Sequence, residues 1–205
     1  MDISADLPRH RAIVAVDIEA STDRTNSVRT QLRIALFELL DEALAAGGIG
    51  RKHRDPFVDR GDGALCLIRP HDQLPKTLLL TTVVPALAEL LAGHAGSRPE
   101  LAFRLRVAVH AGEVHRDARA SYGEDVDIAC RLVDSQELRR RLGQTADWLA
   151  LAVSQEIHRS VVRHGYPGID RSAFTRAVHF KLGDERLRGW LYTPETRAPR
   201  QGMTA

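Results

Sequence analysis

The run RAIVAVDI, Arg11–Ile18, is β-branched and apolar as far as Asp17, and a segment of helical period follows it almost at once. That order constrains the chain more than any other feature, because a strand apolar on successive residues must be covered on both faces. After the turn STDRTNS, Val28, Leu32, Ala35, Leu36, Leu39, Leu40, Ala43 and Leu44 recur at intervals of three and four, and AAGG stops the pattern. The spacing predicts a long amphipathic helix. FVDRGDGALCLI, Phe57–Ile68, then sets two apolar pieces around Gly-Asp-Gly, which predicts a hairpin turning near Arg60–Gly63.

Further along, Leu80, Val83, Val84, Leu87, Leu90 and Leu91 predict a second helix, in which Pro85 marks either a kink or the true start. LAFRLRVAVHAGEVHRD alternates at Phe103, Leu105, Val107 and Val109, and is expected to turn at HAGE as a second hairpin. Residues 123–135 predict a helix, WLALAVS a strand, SQEIHRSVVRHG a helix capped by Ser154, and FTRAVHFKL with LRGWLYT a closing strand pair. Strand, helix, hairpin, helix, strand predicts an α/β sandwich (α+β) with a ferredoxin-like βαββαβ core and extra C-terminal strands. A chain of 205 residues fits one such domain, expected over residues 11–193, between an N-terminal extension (1–10) and a disordered tail (194–205).

With 29 basic and 27 acidic residues the formal charge is +2, which gives no polycationic surface and so demands no nucleic-acid partner. Cys66 and Cys130 stand far apart in sequence, outside any metal or disulfide spacing, and are expected to be buried, reduced thiols. The N-terminal segment lacks the order of a signal peptide, and no apolar run approaches the ~20 residues of a membrane helix. A soluble, cytoplasmic protein with no membrane partner is expected. No phosphate-binding P-loop, dinucleotide fingerprint, H-E-x-x-H or serine elbow is present. His110 reads as structural at its strand end, and ELRRRLGQ as a solvated helix face.

If the first strand and the hairpin are neighbours in one sheet, Asp17 and Asp62 end side by side, where two carboxylates repel unless a cation or proton lies between them. Hard oxygen ligands of this kind suit Mg²⁺ or Mn²⁺, which complete their shells with water and substrate phosphates. Taken singly, Asp17 also reads as a cap on the turn into the helix, and Asp62 as a turn-former.

Four segments in order carry a resemblance. AVDIEAST, RGDGALCLI, RVAVHAGEVHRD and YGEDVDIACRL are similar to the motifs of the nucleotidyl cyclase catalytic domain of the adenylate and guanylate cyclase family, over roughly residues 11–192. The resemblance implies that Asp17, the Ile18 carbonyl and Asp62 hold two metal ions. It also implies a head-to-tail homodimer with shared sites, in which Arg131 of the other subunit stabilises charge on the α-phosphate of a nucleoside triphosphate. Asp127 stands where the family has a ribose-orienting asparagine. Val58 and Ala120 stand where purine-specific members place a lysine and an aspartate, so the usual base-edge hydrogen bonds are missing. Tyr122, Phe57 and Arg60 are the further candidates for lining the base pocket. Lys181, with Arg186 second, matches the phosphate-binding lysine of the final strand pair. The altered base pocket resembles that of the free-standing pyrimidine cyclases of Pycsar anti-phage systems. These make cyclic UMP or cyclic CMP for a separate effector, and the chain carries no recognisable sensor or transmembrane segment. The other two readings are a silent cyclase-like module that binds a nucleotide or a partner, and a purine cyclase with substitute base contacts.

Overall fold

The structure, a computed structural model, describes residues 7–193. The expected N-terminal extension lies mostly, and the expected tail wholly, outside those residues. The elements are β1 (Arg9–Ile18), α1 (Asn26–Ala46), β2 (Val58–Asp59), β3 (Gly63–Ile68), α2 (Val84–Ser97), β4 (Leu105–Arg116), β5 (Ser121–Tyr122), α3 (Glu124–Val133), α4 (Gln136–Gly143), β6 (Leu149–Ser154), α5 (Gln155–Ser160), β7 (Phe174–Leu182) and β8 (Glu185–Tyr192). The strands form an eight-stranded sheet in the order β2-β3-β1-β4-β6-β8-β7, with β5 paired to β4. The run β2-β3-β1-β4 is the expected βαββαβ core, and β6, β8 and β7 extend it on one side.

β1 explains its own sequence. Val14, Val16 and Ile18 enter the core under α1 and α2, together with Leu32, Leu36, Leu40, Val107 and Val109. The alternate residues Ile13 and Ala15 enter a second core under α3 and α4, with Leu65, Leu67, Ala108, Val126, Ala129 and Leu132. A strand covered on both faces needs apolar residues at every position, which is why it reads as an unbroken run. Asp17 interrupts that run where β1 ends.

The chain departs from its sequence pattern in four places. HAGE does not turn: β4 continues through it as one strand, in register with β1 from Leu105 opposite Ile18 to Val114 opposite Arg9. Gly112 serves close packing instead, since a Cβ there would lie 2.0 Å from the Asp125 carboxyl carbon. The β-turn comes later, between β4 and β5.

Pro85 is the second residue of α2, and the missing N–H is accommodated by a wide π-helical turn over Leu79–Val83. This turn makes Leu79–Ser97 one 19-residue helical stretch, with mean hydropathy 1.3 over an 18-residue window, long and apolar enough by length and composition alone to cross a membrane, a length that the sequence pattern did not anticipate. In the fold, its Leu79, Val83, Val84, Leu87 and Leu91 are buried in the core shared with α1.

The helix capped by Ser154 is only six residues long and passes into a 3₁₀ turn at Val162–His164. Cys66 is buried as expected, and burial pushes its thiol up to about 12. Cys130 is only partly buried, beside Arg131 on α3.

Candidate functional site

The two aspartates meet at the end of the β1–β3 pair. Asp17 is in register with Gly63, and the Ile18 N–H donates to the Asp62 carbonyl at 2.9 Å. The glycines on either side of Asp62 have different tasks. Gly61 takes φ 85° in the turn, a conformation that side chains disfavour. Gly63 lies so close to β1 that a Cβ would fall 2.2 Å from the Val16 carbonyl oxygen. Together they let the hairpin turn tightly against β1 and bring Asp62 next to Asp17.

Three polar side chains that the sequence did not single out hold this corner. The Ser21 hydroxyl donates to Asp62 Oδ2. Arg33 of α1 reaches over the hairpin and donates to Asp59 Oδ1 at 2.8 Å and to the Gly61 carbonyl. Its hydrogen bond, with help from the Gly61 N–H, draws the Asp59 carboxyl down to about 2. Arg106, directly across β4 from Asp17, donates to Asp17 Oδ2. Just beyond β1, Glu19 is clamped by Arg104 through two hydrogen bonds of 2.8 and 2.9 Å.

Each aspartate therefore uses Oδ2 in a protein contact, and neither Oδ1 has a protein hydrogen bond among the described residues. Two monodentate carboxylate oxygens at one corner fit a hard divalent cation whose remaining ligands are waters and phosphates. Among the described residues no group of three or more His, Cys, Asp or Glu side chains gathers as a protein-only metal cage.

Asp127 and Arg131 are exposed on successive turns of α3 and line a cleft of about 690 Å³ with Cys130, Asp134, His179 and Phe180. Among the described residues no hydrogen bond or ion pair joins them to Asp17 or Asp62. Lys181 lies opposite Arg186 across β7 and β8, in a basic cleft with Arg176 and Arg188. β7 is separated from β3 by β1, β4, β6 and β8. At ~4.8 Å per strand step that is roughly 24 Å, beyond the reach of a lysine side chain.

Of the base-pocket candidates, Val58 is half-buried on β2 and Ala120 is exposed in the loop closed by the Asp117 carboxylate. Tyr122 is 50% exposed and stacks on His115 at 5.4 Å. The Phe57 ring packs against Phe37, with the Arg54 guanidinium over its face at 3.8 Å, so the structure engages it in core packing. Arg60 pairs with Asp134 at 3.2 Å and ties the hairpin to the end of α3.

α3 itself is anchored by a buried chain of hydrogen bonds. His110 Nε2 lies 2.7 Å from Asp125 Oδ1, and Nδ1 lies 2.7 Å from the Ser154 hydroxyl. Asp125 Oδ2 also accepts the Glu113 N–H at 2.6 Å. A carboxylate only accepts, so Nε2–H donates to Asp125, and Nδ1 shares a hydrogen bond with the Ser154 hydroxyl on the other side. Burial raises the Asp125 pKa, but the bonds from His110 and Glu113 outweigh this and hold it below the usual carboxylate range. His110 is structural, as expected, and it fixes the first turn of the helix that carries Asp127 and Arg131.

The comparisons match this architecture. An adenylate/guanylate cyclase/hydrolase from Silicibacter pomeroyi aligns over 92% of this chain and 98% of its own, with TM-score 0.58 and 18% identity. The fold is that of the nucleotidyl cyclases. The adenylyl cyclase CyaB from P. aeruginosa aligns over 93% of this chain and 96% of its own, with TM-score 0.58 and 10% identity. A bacterial light-regulated adenylyl cyclase covers 90% of both chains at TM-score 0.56 and 12% identity. No protein-family profile and no curated protein sequence matches the chain. On this cyclase fold Asp17 lies at the end of β1 and Asp62 in the turn just before β3, Arg131 lies on α3, and Lys181 lies on the edge strand β7.

Proposed function

We propose that the protein is a metal-dependent nucleotidyl cyclase that converts a nucleoside triphosphate, with UTP or CTP favoured, into its 3′,5′-cyclic monophosphate and pyrophosphate. The observation that carries this reading is the pairing of Asp17 with Asp62 at one corner of the cyclase sheet, each with a free carboxylate oxygen. Asp17, Asp62 and the Ile18 carbonyl would hold Mg²⁺ or Mn²⁺, two ions per site. When bound, the metal supplies Lewis-acid activation of the ribose hydroxyl and neutralises triphosphate charge.

In the reaction the 3′-hydroxyl gives its proton to solvent water and its oxygen forms a bond to the α-phosphorus, the bond from that phosphorus to the α,β-bridging oxygen breaks, and pyrophosphate leaves. Arg131 stabilises the charge that develops on the α-phosphate. Asp127 accepts a hydrogen bond from a ribose hydroxyl, and Lys181 meets the phosphate tail. The roughly 24 Å between Lys181 on β7 and the Asp17–Asp62 corner supports a site shared between two copies, and the resemblance to the cyclase family places Asp17 and Asp62 from one copy with Asp127, Arg131 and Lys181 from the other. Val58 and Ala120 offer no hydrogen bond to a purine edge, which supports a pyrimidine base, with Tyr122 as a stacking surface. Such a product serves as a signal read by a separate effector, and a role in anti-phage defence follows from the likeness to Pycsar cyclases.

Sharing has a direct test. Asp17→Ala and Arg131→Ala are each expected to be inactive alone. Mixing them is expected to restore about one working site per heterodimer, measured as cyclic nucleotide formed per mole of mixed protein. No recovery after mixing, with both variants folded, contradicts a shared site.

A further inference from the structure

Asp17 is already neutralised, and by a group that competes with a metal. Arg106 stands opposite it in the β1–β4 register and donates to its Oδ2, with the two side chains 9% and 10% exposed. A buried carboxylate without a counter-charge is strongly unfavourable, so a fold that buries Asp17 needs a cation beside it at all times. Arg106 is poorly satisfied in return, because its Nε is buried with no hydrogen-bond partner. Asp62 differs, since its contact is the neutral Ser21 hydroxyl.

We propose that Arg106 is a built-in counter-ion that occupies Asp17 until a divalent cation arrives and gives way to it, so that Arg106 sets the metal concentration at which the site fills. The inference rests on the reading that Asp17 and Asp62 hold the metal. A guanidinium and a divalent cation sharing one buried carboxylate repel each other, and only one of them is needed to balance Asp17. The open Asp62 offers the cation its first contact, and loss of the Arg106 contact completes binding. The arrangement keeps β1 and β4 closed at this corner in the absence of metal, at the cost of metal affinity.

The test is Mn²⁺ binding without nucleotide, read from the electron paramagnetic resonance signal of the free aquo ion. Native protein, Arg106→Gln and Asp17→Ala are compared. Arg106→Gln is expected to bind Mn²⁺ about ten- to a hundredfold more tightly than native protein, as removal of one nearby positive charge requires. Without metal its melting temperature falls, and Mn²⁺ raises it by more than in native protein. If the variant folds only in the presence of Mn²⁺, the same conclusion follows from stability, and failure to fold at any Mn²⁺ concentration counts against it. Equal or weaker binding by Arg106→Gln, with Asp17→Ala abolishing it, overturns the counter-ion role and leaves the metal site standing. No Mn²⁺ binding by either native protein or Arg106→Gln removes the metal site, and the inference with it.

Discussion

Asp62→Ala is expected to lower cyclic-nucleotide formation by about 10²- to 10³-fold or more while the chain stays folded. The expectation follows from what Asp62 touches. Its one side-chain partner among the described residues is the Ser21 hydroxyl, a contact contributing about 1 kcal/mol. The turn it occupies is held by other means: Gly61 at positive φ, Gly63 against Val16, and Arg33 on Asp59 and the Gly61 carbonyl. The fold has little need of this carboxylate, whereas a metal site built on two aspartates loses half of its side-chain ligands with it. Turnover measured with a saturating triphosphate, beside a thermal melt of the same sample, separates the two effects. Undiminished product would remove Asp62 from the chemistry.

The largest effect on stability is expected at the other end of the sheet, from Asp55→Ala. The Asp55 side chain is 5% exposed and accepts from Arg11 Nε at 2.8 Å and from Arg69 at 2.8 and 3.0 Å, with Arg116 at 3.5 Å. Removing it leaves Arg11, 10% exposed, as a buried charge without a counter-charge. Breaking such a pair costs about 3–5 kcal/mol, which for a chain of this size lowers the melting temperature by roughly 6–20 °C.

The same group gives a pH dependence whose sign is fixed. Burial raises the Asp55 pKa, but the hydrogen bonds from Arg11 and Arg69 more than reverse that, so the folded value lies below the usual one. Asp125 behaves alike through His110 and Glu113. Stability from both is therefore fully present above about pH 4, the unfolded carboxylate value, and is lost as pH falls through the lower folded values. Melting temperatures between pH 7 and pH 3 test this, and Asp55→Ala is expected to show a smaller fall than the native chain. An unchanged melt for Asp55→Ala at neutral pH would contradict the account.

Much of the fold was legible because its signals are local. β1 announced itself as an unbroken apolar run, α1 by its period, and the β2–β3 hairpin by Gly-Asp-Gly. Asp17 and Asp62 were legible for the same reason, since each sits at the edge of such a signal. HAGE misled because Gly112 carries two possible meanings in a strand, a turn or a close approach, and only the position of α3 decides between them. Arg106, Ser21 and Arg33 were not legible as site residues. Their partners are set by strand register and by where α1 crosses the hairpin, which one segment of sequence does not encode. Cys130 was misplaced because α3 turns it partly toward the cleft, although its neighbours Ala129 and Leu132 are buried.

The most direct test of the central claim is to incubate the purified chain with Mn²⁺ and, separately, ATP, GTP, CTP and UTP, and to identify cyclic monophosphates by mass spectrometry. Cyclic UMP or cyclic CMP with equimolar pyrophosphate is the predicted result. A cyclic purine product would show that Val58 and Ala120 do not set the base, and no product from any of the four would contradict a working cyclase and favour a silent module on the same fold.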